Sequence, residues 1–175
     1  MNPLFGSAAA PTFDDPLEML RACHGRIEAQ CETLRKLLEH LRTHGNDTQA
    51  SQAARAILRY FDTAGHHHHD DEEKDLFPQL LATHDQTATD LIARLLAEHK
   101  HMEAAWQRLR PMLLDIAEDK SDDLDADIAA TFIRLYAQHI ELENGNLLPL
   151  AATLLNEAQL RAFGNKMAAR RGVSI

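Results

Sequence analysis

The chain has 175 residues, of which 45% are apolar and 26% charged, with a formal charge of −9; this suits one soluble domain whose core is large enough to fold unaided. The acidic balance argues against nucleic acid or an anionic membrane surface as a partner, and no run approaches the ~20 apolar residues of a membrane span. Only 7 glycines and 6 prolines occur, which favours helices over a barrel or sandwich, whereas the 11 histidines are an excess that needs a reason.

Residues 1–15, with Pro3, Phe5, Pro11 and Phe13, read as an extended arm; they have neither the basic start nor the apolar stretch of a signal peptide. Asp15 followed by Pro16 is a helix start, a capping carboxylate and then proline in the first turn. Four helical segments follow, roughly 16–43, 48–82, 89–117 and 124–155, separated by HGNDT, HDQTATD and EDKSDDLD. Pro111 is expected to kink or shorten the third. Asn156 caps a short fifth helix within 156–175 that carries Leu160, Phe163 and Met167, with Gly164 as its weak point and ARRGVSI as a fraying end. Four helices joined by short loops predict an all-α fold, an antiparallel up-down-up-down four-helix bundle over 16–155. Cys23 and Cys31 fall on one helix, ~12 Å apart along its axis, too far for a disulfide. A reducing, cytoplasmic setting follows.

The periodicity repeats. Leu20, His24, Ile27, Cys31, Leu34 and Leu38 form an apolar stripe on the first segment. Leu95, His99, Met102, Trp106, Leu109 and Leu113 match it position for position on the third. Phe61, His68, Glu72 and Leu76 have the spacing of Phe132, His139, Glu143 and Leu147, and both sets run into proline, as LFP and LLP. The chain therefore reads as two copies of one helical hairpin.

The repeat selects among the histidines of GHHHHDDEEKDLFP. Four i,i+4 pairs of imidazole and carboxylate are available there, but only His68/Glu72 stands at the distance from LFP that His139/Glu143 has from LLP. His66, His67 and His69 are then expected to point outward or sideways. Counting residues across each turn brings His24, His68, His99 and His139 to one level of the bundle within ~2–6 Å.

Four buried imidazoles and two buried carboxylates are costly unless paired or coordinated. One divalent metal can use four to six of these groups, and two can use all of them with each Glu bridging. A nitrogen and oxygen donor set without thiolate suits iron, manganese or zinc. Glu28 and Glu103, four residues after His24 and His99, are candidates for additional ligands or for acceptors of imidazole N–H groups. Cys31, Met102 and Trp106 read as core. Neither G-x-S-x-G nor a glycine-rich phosphate loop occurs, so those hydrolase and kinase chemistries have no support.

PLEMLRACHGRIE, HHHHDDEEKDLFP, EHKHMEAAW and HIELENGNLLP together resemble the hemerythrin-like HHE cation-binding domain, over about residues 16–155. The resemblance implies a four-helix bundle around a non-haem di-iron centre. Its metal ligands would be His24, His68, Glu72, His99, His139 and Glu143. It also implies binding of, or reaction with, O2, NO or peroxide, in sensing, detoxification or repair; some members hold one metal or zinc. In the oxygen carriers the third helix supplies two histidines four residues apart, whereas this chain has His99 and Glu103 there. The competing expectations are a metal-binding module without redox chemistry, for zinc or stored iron, and a structural bundle whose histidines are only hydrogen-bonded.

Overall fold

A computed structural model describes residues 12–173, so the greater part of the arm at 1–15 lies outside the described residues. The described residues form helices and turns without strands. Helix α1 spans Pro16–His44. A second rod is built from α2 (Thr48–Tyr60), a π turn (Phe61–Gly65), α3 (His66–Asp71), a second π turn (Glu72–Leu76) and α4 (Phe77–Leu81). The third rod is α5 (Gln86–Ala117). The fourth is α6 (Ala126–Leu142), a π turn (Glu143–Leu147) and α7 (Leu148–Leu154), and α8 (Glu157–Arg170) closes the chain.

Each start is encoded locally. Asp15, Asp47, Asp85 and Asp125 accept backbone N–H groups of the first turn of α1, α2, α5 and α6, and Asn156 makes a reciprocal capping box with Gln159 on α8. The cap at Asp85 starts the third rod earlier than the apolar stripe alone predicts. Pro111 does not shorten it: α5 continues to Ala117 with Pro111 exposed, so the carbonyl that loses its partner faces water. The π turns at Glu72–Leu76 and Glu143–Leu147 have a visible cause, because Pro78 and Pro149 follow directly. A proline inside a helix has no N–H to give and crowds the carbonyl four residues back, and a widened turn relieves that crowding.

α1 packs on α2 and α6, and α5 packs on the same two, so the four rods are neighbours in a ring. Asn46, between α1 and α2, donates to the carbonyls of Ile116 and Ser121 at 2.9 and 2.8 Å, which ties the 45–47 and 118–125 connections together at one end. Two apolar clusters fill the interior. One contains Ile27, Leu34, Ile57, Met102, Leu109 and Phe132; the other contains Leu20, Leu76, Phe77, Leu95, Leu147 and Phe163. On every rod the histidine falls between a residue of the first and a residue of the second. Among the described residues no helix is long and apolar enough to cross a membrane.

The C-terminal segment departs from expectation. Rather than fraying, Arg170 and Arg171 reach Asp71, which has no exposed surface, and Arg170 also bonds Asp75 at 2.5 Å. Burial pushes the Asp71 carboxyl up and the two guanidinium groups pull against it. Gly164 is not a weak point either: a β-carbon there would overlap the Phe13 carbonyl, so glycine lets the segment before α1 lie on α8. Replacing both Arg170 and Arg171 by alanine leaves Asp71 buried without a cation. That is expected to cost about 3 kcal/mol, a fall of about 6–12 °C in the thermal midpoint for a chain of this size. Circular dichroism melting checks this, with Arg35→Ala, which breaks only an exposed pair with Glu32, as a near-neutral control.

Candidate metal centre

Between the two apolar clusters the four rods bring together His24 from α1, His68 from α3, Glu72 and Glu143 from the heads of two π turns, His99 from α5 and His139 from α6. None of the six is more than 4% exposed. The sequence repeat thus becomes one polar layer, and the carboxylates divide it into two halves. In one half, His24 Nε2 lies 3.0 Å from Glu143 Oε2 and His68 Nε2 lies 3.1 Å from Glu72 Oε1, with the crossed distances at 4.0 Å. In the other, His99 Nε2 is 3.3 Å from Glu72 Oε2 and His139 Nε2 is 3.4 Å from Glu143 Oε1. Each carboxylate therefore offers one oxygen to each half.

These separations are those of donors sharing an ion. Metal–nitrogen bonds of about 2.1 Å place adjacent donors about 3 Å apart and opposite donors about 4.2 Å apart. Each half forms a group able to hold a metal ion. All four carboxylate oxygens, His24 Nε2 and His68 Nε2 are buried without a hydrogen bond: they face common centres rather than one another.

The imidazoles are held from behind. His24 Nδ1 lies 2.7 Å from Asn144 Oδ1, His99 Nδ1 lies 2.6 Å from Glu73 Oε1, and His139 Nδ1 lies 2.9 Å from Glu98 Oε2. Each Nδ1–H donates to its oxygen, which leaves Nε2 with its lone pair directed inward. His99 Nε2 and His139 Nε2 then face each other at 3.1 Å, an arrangement that asks for a cation between or beside them. The expected acceptors, Glu28 and Glu103, stand elsewhere: both are exposed, and Glu103 accepts from Gln107. Sequence reasoning missed Glu73, Glu98 and Asn144 because it searched four residues along the same helix. Each of these acceptors instead lies next in sequence to a residue of the layer and serves an imidazole on a neighbouring rod. Glu98→Ala is expected to weaken metal binding about 10–100-fold without removing a donor, as read by competition with a chromophoric chelator.

Without a metal, protons must balance the layer. Burial lowers His24, but the neighbouring Glu143 and Glu72 carboxylates outweigh it and raise the imidazole to about 10. His139 rises to about 9 by the same contest, against burial and with Glu143. His68 falls to about 4 because burial dominates. Burial and the Glu72 charge push Glu143 up, yet His139 and His24 bring it below the ordinary carboxylate range. Glu72 lies well below that range, burial notwithstanding, through His68, His24 and His99.

Of the remaining histidines in the run, His66 is exposed and His67 half-buried. His69 is turned inward against the expectation: its ring stacks on His99 at 4.1 Å. The α3 stretch is six residues between two π turns, so the regular winding used to place the run does not carry through it. Cys31 is a free, buried thiol packed in the first apolar cluster, where burial and the Glu28 charge push it up to about 12. Phe61, Trp106, Phe132 and Tyr136 form an aromatic block in the same cluster, with neighbouring rings 4.9–5.6 Å apart.

The family model of the Hemerythrin HHE cation binding domain matches residues 15–151. An uncharacterised protein of Haemophilus influenzae is 35% identical over 162 residues, covering 93% of each chain.

Proposed function

This chain belongs to the hemerythrin HHE cation-binding domain family, and on that premise we propose that it is a non-haem di-iron protein that binds or reacts with O2, NO or peroxide. The observation that carries this reading is the division of one buried layer into two equivalent donor halves by two shared carboxylates. His24 and His68 would hold one iron, His99 and His139 the other, and Glu72 and Glu143 would bridge. The four rods are read as an antiparallel up-down-up-down bundle around this pair, and the setting as the cytoplasm, where Cys23 and Cys31 remain thiols.

Bound iron supplies a ferrous–ferric couple and a place for a diatomic ligand; the rest falls to the protein. Asn144, Glu73 and Glu98 fix the ring planes of His24, His99 and His139, so that Nε2 needs no reorientation when charge changes. The paired carboxylates offset positive charge in both halves equally. The apolar residues on either side, Phe61, Trp106 and Phe132 on one and Leu76, Leu95 and Leu147 on the other, keep bulk water away and so tune potential and reactivity.

Elemental analysis of untagged protein, with an absorption spectrum of the same sample, tests the reading. Two irons per chain with near-ultraviolet bands that bleach on reduction are the expected result, and titrations with O2 and NO then identify the ligand. Stoichiometric zinc or manganese, or a single metal without such bands, overturns the di-iron assignment in favour of a metal-binding module without redox chemistry.

A further inference from the structure

We propose that Arg170 and Arg171 are positioning residues for the metal layer: through Asp71 and Asp75 they hold the stretch that carries His68 and Glu72 in the place the centre needs. The inference rests on the metal-binding reading above and adds to it two residues from a segment that contributes no donor. Asp71 and Asp75 flank Glu72, one residue before it and three after. Both are buried, and their cations all come from the C-terminal segment. Arg171 Nη2 donates to Asp71 at 2.6 Å, Arg170 bonds Asp71 and, at 2.5 Å, Asp75, and Lys166 Nζ lies 3.1 Å from Asp75. Arg171 is itself fixed: its Nη1 donates to the Met167 carbonyl at 3.0 Å, and its guanidinium stands 5.9 Å from the centre of the Phe13 ring. The repeat shows that none of this is needed to build a π turn, since the second hairpin has Leu142 and Asn146 where the first has Asp71 and Asp75.

Glu72 opens a π turn, a local departure from even winding, so regular helix geometry alone does not set where its carboxylate points. The turn is held from two sides. Glu73 accepts from His99 on one rod, and Asp71 and Asp75 are tied to the end of α8. Because α8 also packs on α1, the same clamp joins the rods that supply His24 and His68. Without the arginines, Asp71 is left as a buried charge with no cation, which is costly, and the stretch relaxes by turning that carboxylate toward water. Glu72, the next residue, turns with it. Its two oxygens serve different halves, Oε1 beside His68 and Oε2 beside His99, so both halves register the movement.

Co2+ titration of the metal-free protein followed by visible absorption tests the assignment, because affinity for the folded chain and the cobalt bands do not change with stability as such. Wild type is expected to take two Co2+ per chain. Arg170→Ala/Arg171→Ala is expected to bind both at least about 5-fold more weakly, with changed bands, because Glu72 is a donor to each. Leu113→Ala, in the apolar cluster that α8 does not share, lowers stability by opening a cavity and is expected to keep wild-type affinity and bands. Wild-type affinity and bands in the double arginine variant overturn the positioning role and leave the arginines a purely structural one. Equal weakening in Leu113→Ala overturns it as well, since any loss of stability then has the same effect. No stoichiometric Co2+ in the wild type overturns it together with the reading beneath it. Should the double variant fold poorly, Arg171→Gln, which leaves Arg170 on both aspartates, decides: weaker binding with changed bands is expected, and wild-type affinity and bands overturn the assignment.

Discussion

Glu143→Ala is expected to empty both metal positions at once, whereas His24→Ala empties one. The difference follows from what each residue touches. Glu143 presents Oε2 to His24 and Oε1 to His139, so losing it takes an oxygen from each half and leaves two adjacent cations with less negative charge between them. His24 offers one nitrogen to one half. Metal content per chain should therefore fall from about two to a small fraction of one in Glu143→Ala and to about one in His24→Ala. Both losses exceed the about 10–100-fold cost of removing an outer hydrogen-bond partner. His66→Ala, which changes an exposed residue, should retain full content. Elemental analysis of these three variants and of His68→Ala decides the matter, and equal losses from His66→Ala and His68→Ala would refute the choice made within the histidine run.

Stripping the metal should lower the thermal midpoint by about 8–16 °C. A ligand present at a thousand times its dissociation constant stabilises by about 4 kcal/mol, and each kcal/mol is worth about 2–4 °C here. The pH dependence of the two forms should diverge. In the metal-free protein His24 and His139 are raised, to about 10 and about 9. Their contribution is therefore full below the ordinary histidine value of about 6.5 and is lost as pH rises through 9–10. His68, lowered to about 4, has the opposite sign, since its contribution is lost as pH falls below about 6.5. The metal-free form should be most stable near neutrality. Metal binding must expel the protons on His24 and His139, so affinity rises with pH. The gap between loaded and stripped melting curves should widen from pH 7 to pH 9; parallel curves would count against coordination by these two histidines.

The parts of this molecule that were legible in sequence are those governed by regular winding. The apolar stripes placed His24 and His99, and the internal repeat separated His68 from its three neighbours without any coordinates. The capping Asp15 marked the start of the first rod. What escaped is what regular winding does not describe. Residues around the π turns no longer obey a spacing of three and four, and His69, expected to point outward or sideways, stacks on His99 instead. Glu73, Glu98 and Asn144 act across helices, where spacing within one helix carries no information. Asp71 looked like one more member of a charge run, and Arg170 and Arg171 like a loose tail; only the packing of α8 against α1 and the second rod shows that they answer each other.

The π turns that follow His68 and His139 also govern how this chain can vary in length. A π turn is a helix carrying one residue more than an even winding would hold. Deleting one residue there turns the wide turn into an even one while both sides of the rod keep their phase, whereas inserting one more between His68 and Pro78 rotates one side against the other by about 100°. Either Leu76, Phe77 and Leu80 then leave the interior, or His68 and Glu72 leave the layer. The same holds between His139 and Pro149. Insertions are consequently excluded from the two proline-terminated stretches, whereas the connections 45–47 and 118–125 carry no helix phase and are constrained instead by the bonds of Asn46 to Ile116 and Ser121 and by the caps Asp47 and Asp125.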